Sequence, residues 1–237
     1  MLPAFSVVIP CFNEAARIGE TVRLTLDYLC SVSPESELIV VNDGSTDSTS
    51  IVAREALSTA RIETRLLENF PNHGKGAAVR KGLLAAQRSI GLFFDADLST
   101  PLEETPKVIE PIANNEADIA FGSRALDRTL IGHHQPWQRE QAGRIFNLIV
   151  RLATGLPFWD TQCGFKAFRL DVCRPIFAAA SVDGFAFDVE LLYLAQRAGL
   201  RLREIPVRWN HSEGSKVRFV HDSLGMLREI IALRVSL

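Results

Sequence analysis

What this sequence lacks narrows it first. Hydrophobic residues make up 47% of the chain, yet no apolar run approaches the ~20 residues of a membrane-spanning helix. The four cysteines, Cys11, Cys30, Cys163 and Cys173, form no CxxC pair and no zinc spacing, and reduced thiols in a cytosolic protein are the simplest reading. Charge of one sign is not in excess either. Lys and Arg number 26 against 28 Asp and Glu, a formal net charge of −2, so nothing pulls the whole surface toward nucleic acid or an acidic membrane. Any phosphate site must then be a local cluster of Arg and Lys. The chain has no low-complexity tract, repeat or obvious linker, and its 237 residues read as one large domain. The N-terminus has no charged stretch leading into an apolar core, so the expected location is the cytoplasm. A Walker loop and a Rossmann Gly-x-Gly-x-x-Gly are both missing, which counts against ATPase and dehydrogenase chemistry.

What is present is a regular alternation of short apolar runs with helical spacing. Phe5 to Pro10 is β-rich and apolar, and from about Glu14 the residues Ile18, Val22, Leu26 and Leu29 recur at helical intervals. Glu37 to Val41 predicts a second strand, followed by a helix to about Ser58. Arg61 to Glu68 alternates as a third strand, and a helix opens at His73 to Arg80. Ile90 to Phe94 is apolar but for Gly91, as in a strand buried on both faces. Leu102 to Asn114 predicts a helix, Asp118 to Arg124 a strand, Glu140 to Leu152 a helix, and Phe187 to Ala198 a helix. Arg203 to Trp209, with Pro206, reads as an edge strand. Alternation at this pitch predicts an α/β protein with a mostly parallel central sheet and helices on both faces.

The stretch that the rest is arranged around is Leu92-Phe93-Phe94-Asp95-Ala96-Asp97. Two carboxylates at the end of a buried strand are unfavourable unless something pairs with them, and carboxylate oxygens suit Mg²⁺ or Mn²⁺ bridging to substrate phosphates. A pair of solvated turn acids would account for Asp-x-Asp alone equally well. Asn13 and Glu14, Asp43, and Arg124 also follow strands. Parallel strands bring their carboxyl ends to one edge, so these groups converge on one crevice. Acids with Arg and Lys there describe a site for a metal-bound phosphate ester, and His73-Gly74-Lys75-Gly76 adds a helix N-terminus, a natural anion site.

These residues carry a family resemblance. Val8-Ile9-Pro10-Cys11-Phe12-Asn13-Glu14, Val41-Asn42-Asp43-Gly44-Ser45-Thr46-Asp47, Gly74-Lys75-Gly76 and Asp95-Ala96-Asp97 are similar to family-2 glycosyltransferases of the GT-A fold. Gly122-Ser123-Arg124, Arg139-Glu140 with Gly143-Arg144 and Asn147, Asp160 to Lys166, and Phe187-Asp188-Val189-Glu190 resemble the dolichyl-phosphate glucosyltransferase and polyprenyl-phosphate sugar synthase branch. The likeness spans about Phe5 to Lys216. It implies a Rossmann-like nucleotide-binding half over residues 1–124 and an acceptor half over 125–218. Pro10, Asn13, Glu14, Asp43, Lys75 and Asp95 would bind the donor nucleotide. Asp97, with Asp95, would hold Mg²⁺ or Mn²⁺. Arg124 and Arg139 would neutralise donor or acceptor phosphate, and Asp160 or Asp188 would take the place of a base. The implied reaction inverts the anomeric carbon, with UDP-glucose as favoured donor and a polyprenyl phosphate as favoured acceptor. A soluble or saccharide acceptor, a GDP-mannose donor, and a nucleotide-sugar binding protein without turnover are the alternatives.

The pattern also departs from the family. Phe12 stands where many relatives have Tyr, and Ser99 replaces a Gln common in the mannose-synthase branch. Leu126 to Gln138, which includes His133 and His134, is expected to be a mobile lid. Trp137, Phe158 and Trp159 fit either a lipid-acceptor groove or core packing. Residues 219–237 predict an amphipathic C-terminal helix, docked on the body or on the second copy of a homodimer, with peripheral contact to a membrane as the functional alternative.

Overall fold

A computed structural model describes residues 1–133, 137–211, 225–226 and 229–230, with the backbone alone at 137–139. Its centre is a seven-stranded sheet in the order β3-β2-β1-β4-β7-β5-β8. The strands are β1 (Ser6–Cys11), β2 (Glu37–Asp43), β3 (Glu63–Asn69), β4 (Ile90–Phe94), β5 (Ile119–Ser123), β7 (Phe165–Arg169) and β8 (Leu202–Pro206). A two-stranded sheet joins β6 (Ile131–His133) to β9 (Trp209–Asn210).

The apolar runs alternate between two faces, as strands with 2-residue side-chain periodicity must. Val8, Ile39, Val41 and Phe93 point into one core with helices α3 (Lys75–Ala85), α6 (Leu170–Ala179) and α7 (Phe187–Arg197). Val7, Ile9, Leu38, Val40, Leu92 and Phe94 point into the other, packed by α1 (Ile18–Val32), α2 (Thr49–Leu57) and α4 (Thr105–Ala113). Burial on both faces is why β1, β2 and β4 are apolar almost throughout. The eighteen-residue α5 (Trp137–Thr154) sends Phe146 and Val150 into the first core.

Two features depart from the sequence expectation and shape the site. First, β7 runs antiparallel to both β4 and β5. Its amino end therefore lies at the carboxyl ends of its neighbours, which delivers the Asp160–Gly164 loop to the same edge as Asp95 and Arg124. The insertion also means that the two expected halves share one sheet. Second, the expected lid is only partly a loop. Asp127 caps a short 3-10 turn at Arg128–Leu130, and β6 pairs with β9, whose Asn210 amide donates to the Ser99 carbonyl (2.8 Å). Smaller differences follow local chemistry. The helix expected from Glu14 begins at Ile18, because Glu14 to Arg17 form a turn, and the helix expected from Leu102 opens as a 3-10 turn before Pro106.

Most of the C-terminal segment 219–237 lies outside the described residues. Within it, Gly225, Met226, Glu229 and Ile230 are helical, and Met226 and Ile230, one turn apart, are buried in the first core. At those positions the apolar side faces the body of the protein. Among the described residues no helix is long and apolar enough to cross a membrane.

Candidate active site

The ends of β1, β2, β4 and β5 meet at one edge, as expected, and their polar groups are joined across strands. Asn13 adopts a positive φ of 52°, a conformation that Asn tolerates better than most residues. Its side-chain oxygen accepts from the Thr46 amide (2.8 Å), and its own amide donates to Ser45 Oγ (2.8 Å). Glu14 pairs with Arg17 at 2.8 Å, and Pro10 is buried in β1 opposite Val41. The Asn13 contacts clamp the loops after β1 and β2 to each other.

Asp43 is buried, and its carboxylate accepts from Asn69 Nδ2 (2.7 Å), Asn72 Nδ2 (2.8 Å), the His73 amide (3.2 Å) and the Gly74 amide (2.7 Å). Four donors use the lone pairs of both oxygens. Asp43 is thus committed to folding the 69–74 turn. The helix N-terminus that follows is likewise not an open anion site. The Gly76 amide donates to the Asp183 carbonyl (2.7 Å), and Ala77 shares that acceptor at 3.3 Å. Gly74 sits at φ 110°, and a Cβ there would collide with the same carbonyl, so only glycine fits this close approach.

What the turn does present is Lys75. Its Nζ lies 2.6 Å from Asp95 Oδ1. Burial disfavours the cation, but the charges of Asp95 and Asp188 outweigh it and raise the Lys75 pKa above the ordinary value. Asp97 gives one oxygen to the Ser99 amide (3.0 Å). Gly164 packs so tightly on Asp95 that a Cβ would strike the carboxylate, and its carbonyl accepts the Asp95 amide at 3.2 Å. Beneath this contact, Lys166 is fully buried and donates to Asp188 Oδ1 (2.5 Å) and to the Cys163 carbonyl (2.6 Å). Lys166 therefore fixes the loop that presses on Asp95.

Arg124 forms a two-pronged pair with Asp160, Nε to Oδ2 at 2.7 Å and Nη2 to Oδ1 at 2.8 Å, and its amide also donates to Oδ2 (3.0 Å). Burial opposes both charges, but the pairing prevails. The Asp160 pKa falls below the usual carboxylate value and that of Arg124 rises. A carboxylate held this way is a poor proton acceptor. Asp188, the other candidate base, has its pKa raised because burial outweighs Lys166 and Lys75. It is buried against Lys166, which suits a supporting role. Burial pushes the Cys163 and Cys173 thiols up to about 12, which suits packing and not nucleophilic chemistry at those two positions.

Beyond Arg124 opens a cavity of about 520 Å³. Arg124, Arg128, Arg144 and Arg151 line it, together with Trp159 and Trp209. Glu140 joins Arg128 to Arg144, the second at 3.2 Å, and Arg151 stacks on the Trp159 ring at 4.0 Å. Trp159 is exposed, whereas Phe158 packs edge-on against Phe121, so the expected aromatic groove divides between cavity wall and core. The side chains of Trp137 and Arg139, and all of His134, lie outside the described residues. Arg128 and Arg151 were not singled out from sequence, and Arg144 entered only as part of the family resemblance. The signal was the spacing of Glu140, Arg144, Asn147 and Arg151, four, three and four residues apart, which puts them on one face of a helix.

The donor set also fits a divalent ion. Asp95 and Asp97 offer hard oxygens, and no group of three or more His, Cys, Asp or Glu gathers among the described residues. Two such carboxylates suit Mg²⁺ or Mn²⁺, which take one or two of them and complete their shell with phosphate and water.

A mostly parallel sheet with acids at its carboxyl edge and an arginine-lined cavity beside them is an α/β architecture suited to binding phosphorylated ligands. Residues 6–177 match glycosyl transferase family 2, and the chain belongs to that family. It is 36% identical to the dolichyl-phosphate beta-glucosyltransferase of Drosophila melanogaster, over 97% of this chain and 74% of the relative. It is 35% identical to glycosyltransferase AglD of Haloferax volcanii, over 95% of this chain but only 36% of that protein. Among solved structures, glucosyl-3-phosphoglycerate synthase of Mycobacterium tuberculosis, in complex with Mn²⁺, UDP and glucosyl-3-phosphoglycerate, superposes with a TM-score of 0.67. That match covers 98% of this chain and 79% of the other at 23% identity, which shows the GT-A fold. The same synthase has been crystallised with Mg²⁺ and UDP.

Proposed function

We propose that this protein transfers glucose from UDP-glucose to a polyprenyl phosphate, with inversion at the anomeric carbon. The observation that carries the proposal is the row of four arginines in the cavity next to the Asp95–Asp97 turn. A guanidinium cluster suits a phosphate monoester, and the four arginines outnumber the carboxylates of Asp160 and Glu140 in the same lining. A phosphate oxygen is already anionic near neutral pH and needs no base, which agrees with the commitment of Asp160 to Arg124 and of Asp188 to Lys166. That oxygen attacks the anomeric carbon, the bond to the UDP oxygen breaks, and UDP leaves with the electron pair.

Pro10, Asn13 and Glu14 shape the nucleotide side, Asp43 holds the turn that carries Lys75, and Lys75 sets Asp95. Asp97, with Asp95, would hold Mg²⁺ or Mn²⁺. A bound ion would supply Lewis-acid stabilisation of the departing diphosphate. The name of the Drosophila relative, a dolichyl-phosphate beta-glucosyltransferase, supports the sugar and the acceptor, and the mycobacterial synthase crystallised with UDP-glucose and Mn²⁺ supports the donor. The protein would work at the cytoplasmic face of a membrane.

The test is transfer of radiolabelled glucose from UDP-glucose, with Mn²⁺ or Mg²⁺, to polyprenyl phosphate or to 3-phosphoglycerate. Label extracted with the lipid, released by mild acid and abolished by chelation, is the expected result. Label on the soluble phosphate alone would replace the acceptor. Transfer from GDP-mannose in place of UDP-glucose would replace the donor.

A further inference from the structure

Glu204 is an acid where the strand pattern calls for an apolar residue. Side chains alternate across a strand, and along β8 Leu202 packs on the first core and Ile205 on the second. Glu204 therefore shares the face of Leu202, and its register partner on β5 is Phe121, a buried member of the first core. A half-buried carboxylate there needs hydrogen-bond donors. It finds them in the loop that leads into β7. Glu204 Oε1 accepts the Asp160 amide at 2.7 Å, and the Trp159 amide lies 3.1 Å from Oε1 and 3.0 Å from Oε2. Phe158, the residue before these, packs edge-on against Phe121 with 5.1 Å between ring centroids. Phe121 and Glu204 thus catch three consecutive residues, one by its ring and two by their amides.

Both residues whose amides Glu204 holds act on the cavity. Asp160 grips Arg124 through Nε and Nη2 at 2.7 and 2.8 Å, and the Trp159 ring carries Arg151 at 4.0 Å. Arg124, Arg151, Trp159 and Asp160 all line the cavity, and Glu204 is not among the lining residues. We infer that Glu204 is a positioning residue, which sets the Trp159–Asp160 step from the central sheet and, through that step, places Arg124 and Arg151 around an incoming phosphate. A carboxylate suits the task because its hydrogen bonds to backbone amides are charge-assisted and short. An apolar residue at this position would leave both amides without an acceptor and let the loop settle elsewhere. This role rests on the proposed acceptor for its purpose, but the hold on Arg124 can be read without any ligand.

The test uses the full chain and two variants. Glu204→Leu keeps an apolar side chain on an edge strand and removes both acceptor oxygens, whereas Glu204→Gln keeps one oxygen for the Asp160 amide. Three measurements are made: initial rates with a short-chain prenyl phosphate dissolved in buffer, calorimetry with UDP and Mn²⁺, and solvent exchange of the Arg124 Nε–H by NMR. In Glu204→Leu the acceptor KM should rise about 10-fold, the scale of one charged hydrogen bond, with kcat and UDP affinity nearly unchanged. The Arg124 Nε–H, which Asp160 Oδ2 accepts, should exchange faster in that variant, and Glu204→Gln should restore much of both losses. Combined with Arg124→Lys, Glu204→Leu should add much less than its own factor, because the two act through one contact. An unchanged KM with an unchanged exchange rate would overturn the inference. So would a fall in UDP affinity equal to the loss of acceptor affinity, because Glu204 would then only hold the fold together. Faster exchange in Glu204→Leu, with no transfer by the wild type to any prenyl phosphate, would leave the hold on Arg124 standing and remove the acceptor proposal instead.

Discussion

The two sides of the crevice solve different problems with the same kinds of residue. On the side proposed for the donor, polar groups are used up by the protein's own loops: Asp43 accepts four hydrogen bonds, Asn13 ties the β1 loop to the β2 loop, and the amides of Gly76 and Ala77 are closed by Asp183. On the side proposed for the acceptor, the arginines sit half-exposed around an open volume, Arg128 and Arg144 tethered through one carboxylate and Arg151 against a ring. The first arrangement preorganises a rigid floor. The second keeps charge available for a ligand that arrives with its own. A buried carboxylate such as Asp43 is therefore a brace and not an open contact, and its partner count shows it.

The largest effect should come at the seam between the sides. Replacing Lys166 with Met strands Asp188 as a buried, unpaired carboxylate, and breaking such a pair costs about 3–5 kcal/mol. The melting temperature should fall steeply, and donor affinity with it, because the Cys163–Gly164 loop loses its anchor. Burial outweighs the pairing at Asp188, so the double change Lys166→Met with Asp188→Leu should recover much of that stability without restoring donor binding. If the double variant is as unstable as the two single ones summed, the pair is not acting as a unit.

Next in size is Asp97→Asn. Asp97 holds only a local turn, through the Ser99 amide, so the fold should survive while turnover drops at least ~100-fold, the scale of a lost charge-stabilising group. Thermal melts paired with initial rates separate this from the Lys166 result. Near-normal rates would remove Asp97 from the chemistry. On the acceptor side, Arg124→Lys keeps the charge but loses the fork that grips Asp160, and transfer should slow by about 10- to 100-fold, in line with one or two charged hydrogen bonds. Arg128→Ala, by contrast, should raise the acceptor KM with little change in kcat. A fall in donor affinity for either arginine variant would blur the division between the two sides.

How much of this was legible in advance depends on whether local sequence or distant contact decided it. Ile90–Phe94 was read residue for residue, because a strand buried on both faces must be apolar throughout. The convergence of Asn13, Asp43, Asp95 and Arg124 followed from strand direction alone. The antiparallel β7 did not, since an apolar strand carries no mark of its polarity, and α6 went unread because Leu170 follows β7 without a break and Pro175 interrupts the pattern. The role of Asp43 was illegible for another reason. Its partners lie 26 to 31 residues away, and only the folded turn brings them in. The cavity arginines fall between these cases, since their helical spacing was in the sequence but the open volume they face was not.

The smallest effect checks that the contrast concerns the cavity and not arginine in general. Asp118, at the start of β5, is bound by Arg201 through Nη2 (2.9 Å), Nε (3.0 Å) and the backbone amide (2.9 Å), with Arg169 at 3.2 Å. Arg201's side-chain hydrogen bonds are the main reason its pKa falls from 3.8 to about 2. A depressed carboxylate adds stability that is fully present above the unfolded value and is lost as pH falls from about 4 toward 2. Arg201→Gln should relax that depression. Urea midpoints of wild type and variant should then differ most near pH 5 and converge as pH drops below about 3, while transfer at neutral pH stays unchanged. A gap that persists undiminished in acid would mean that Arg201 works through packing of its stem and not through the charge of Asp118. An altered transfer rate would mean that this edge of the sheet is coupled to the cavity after all.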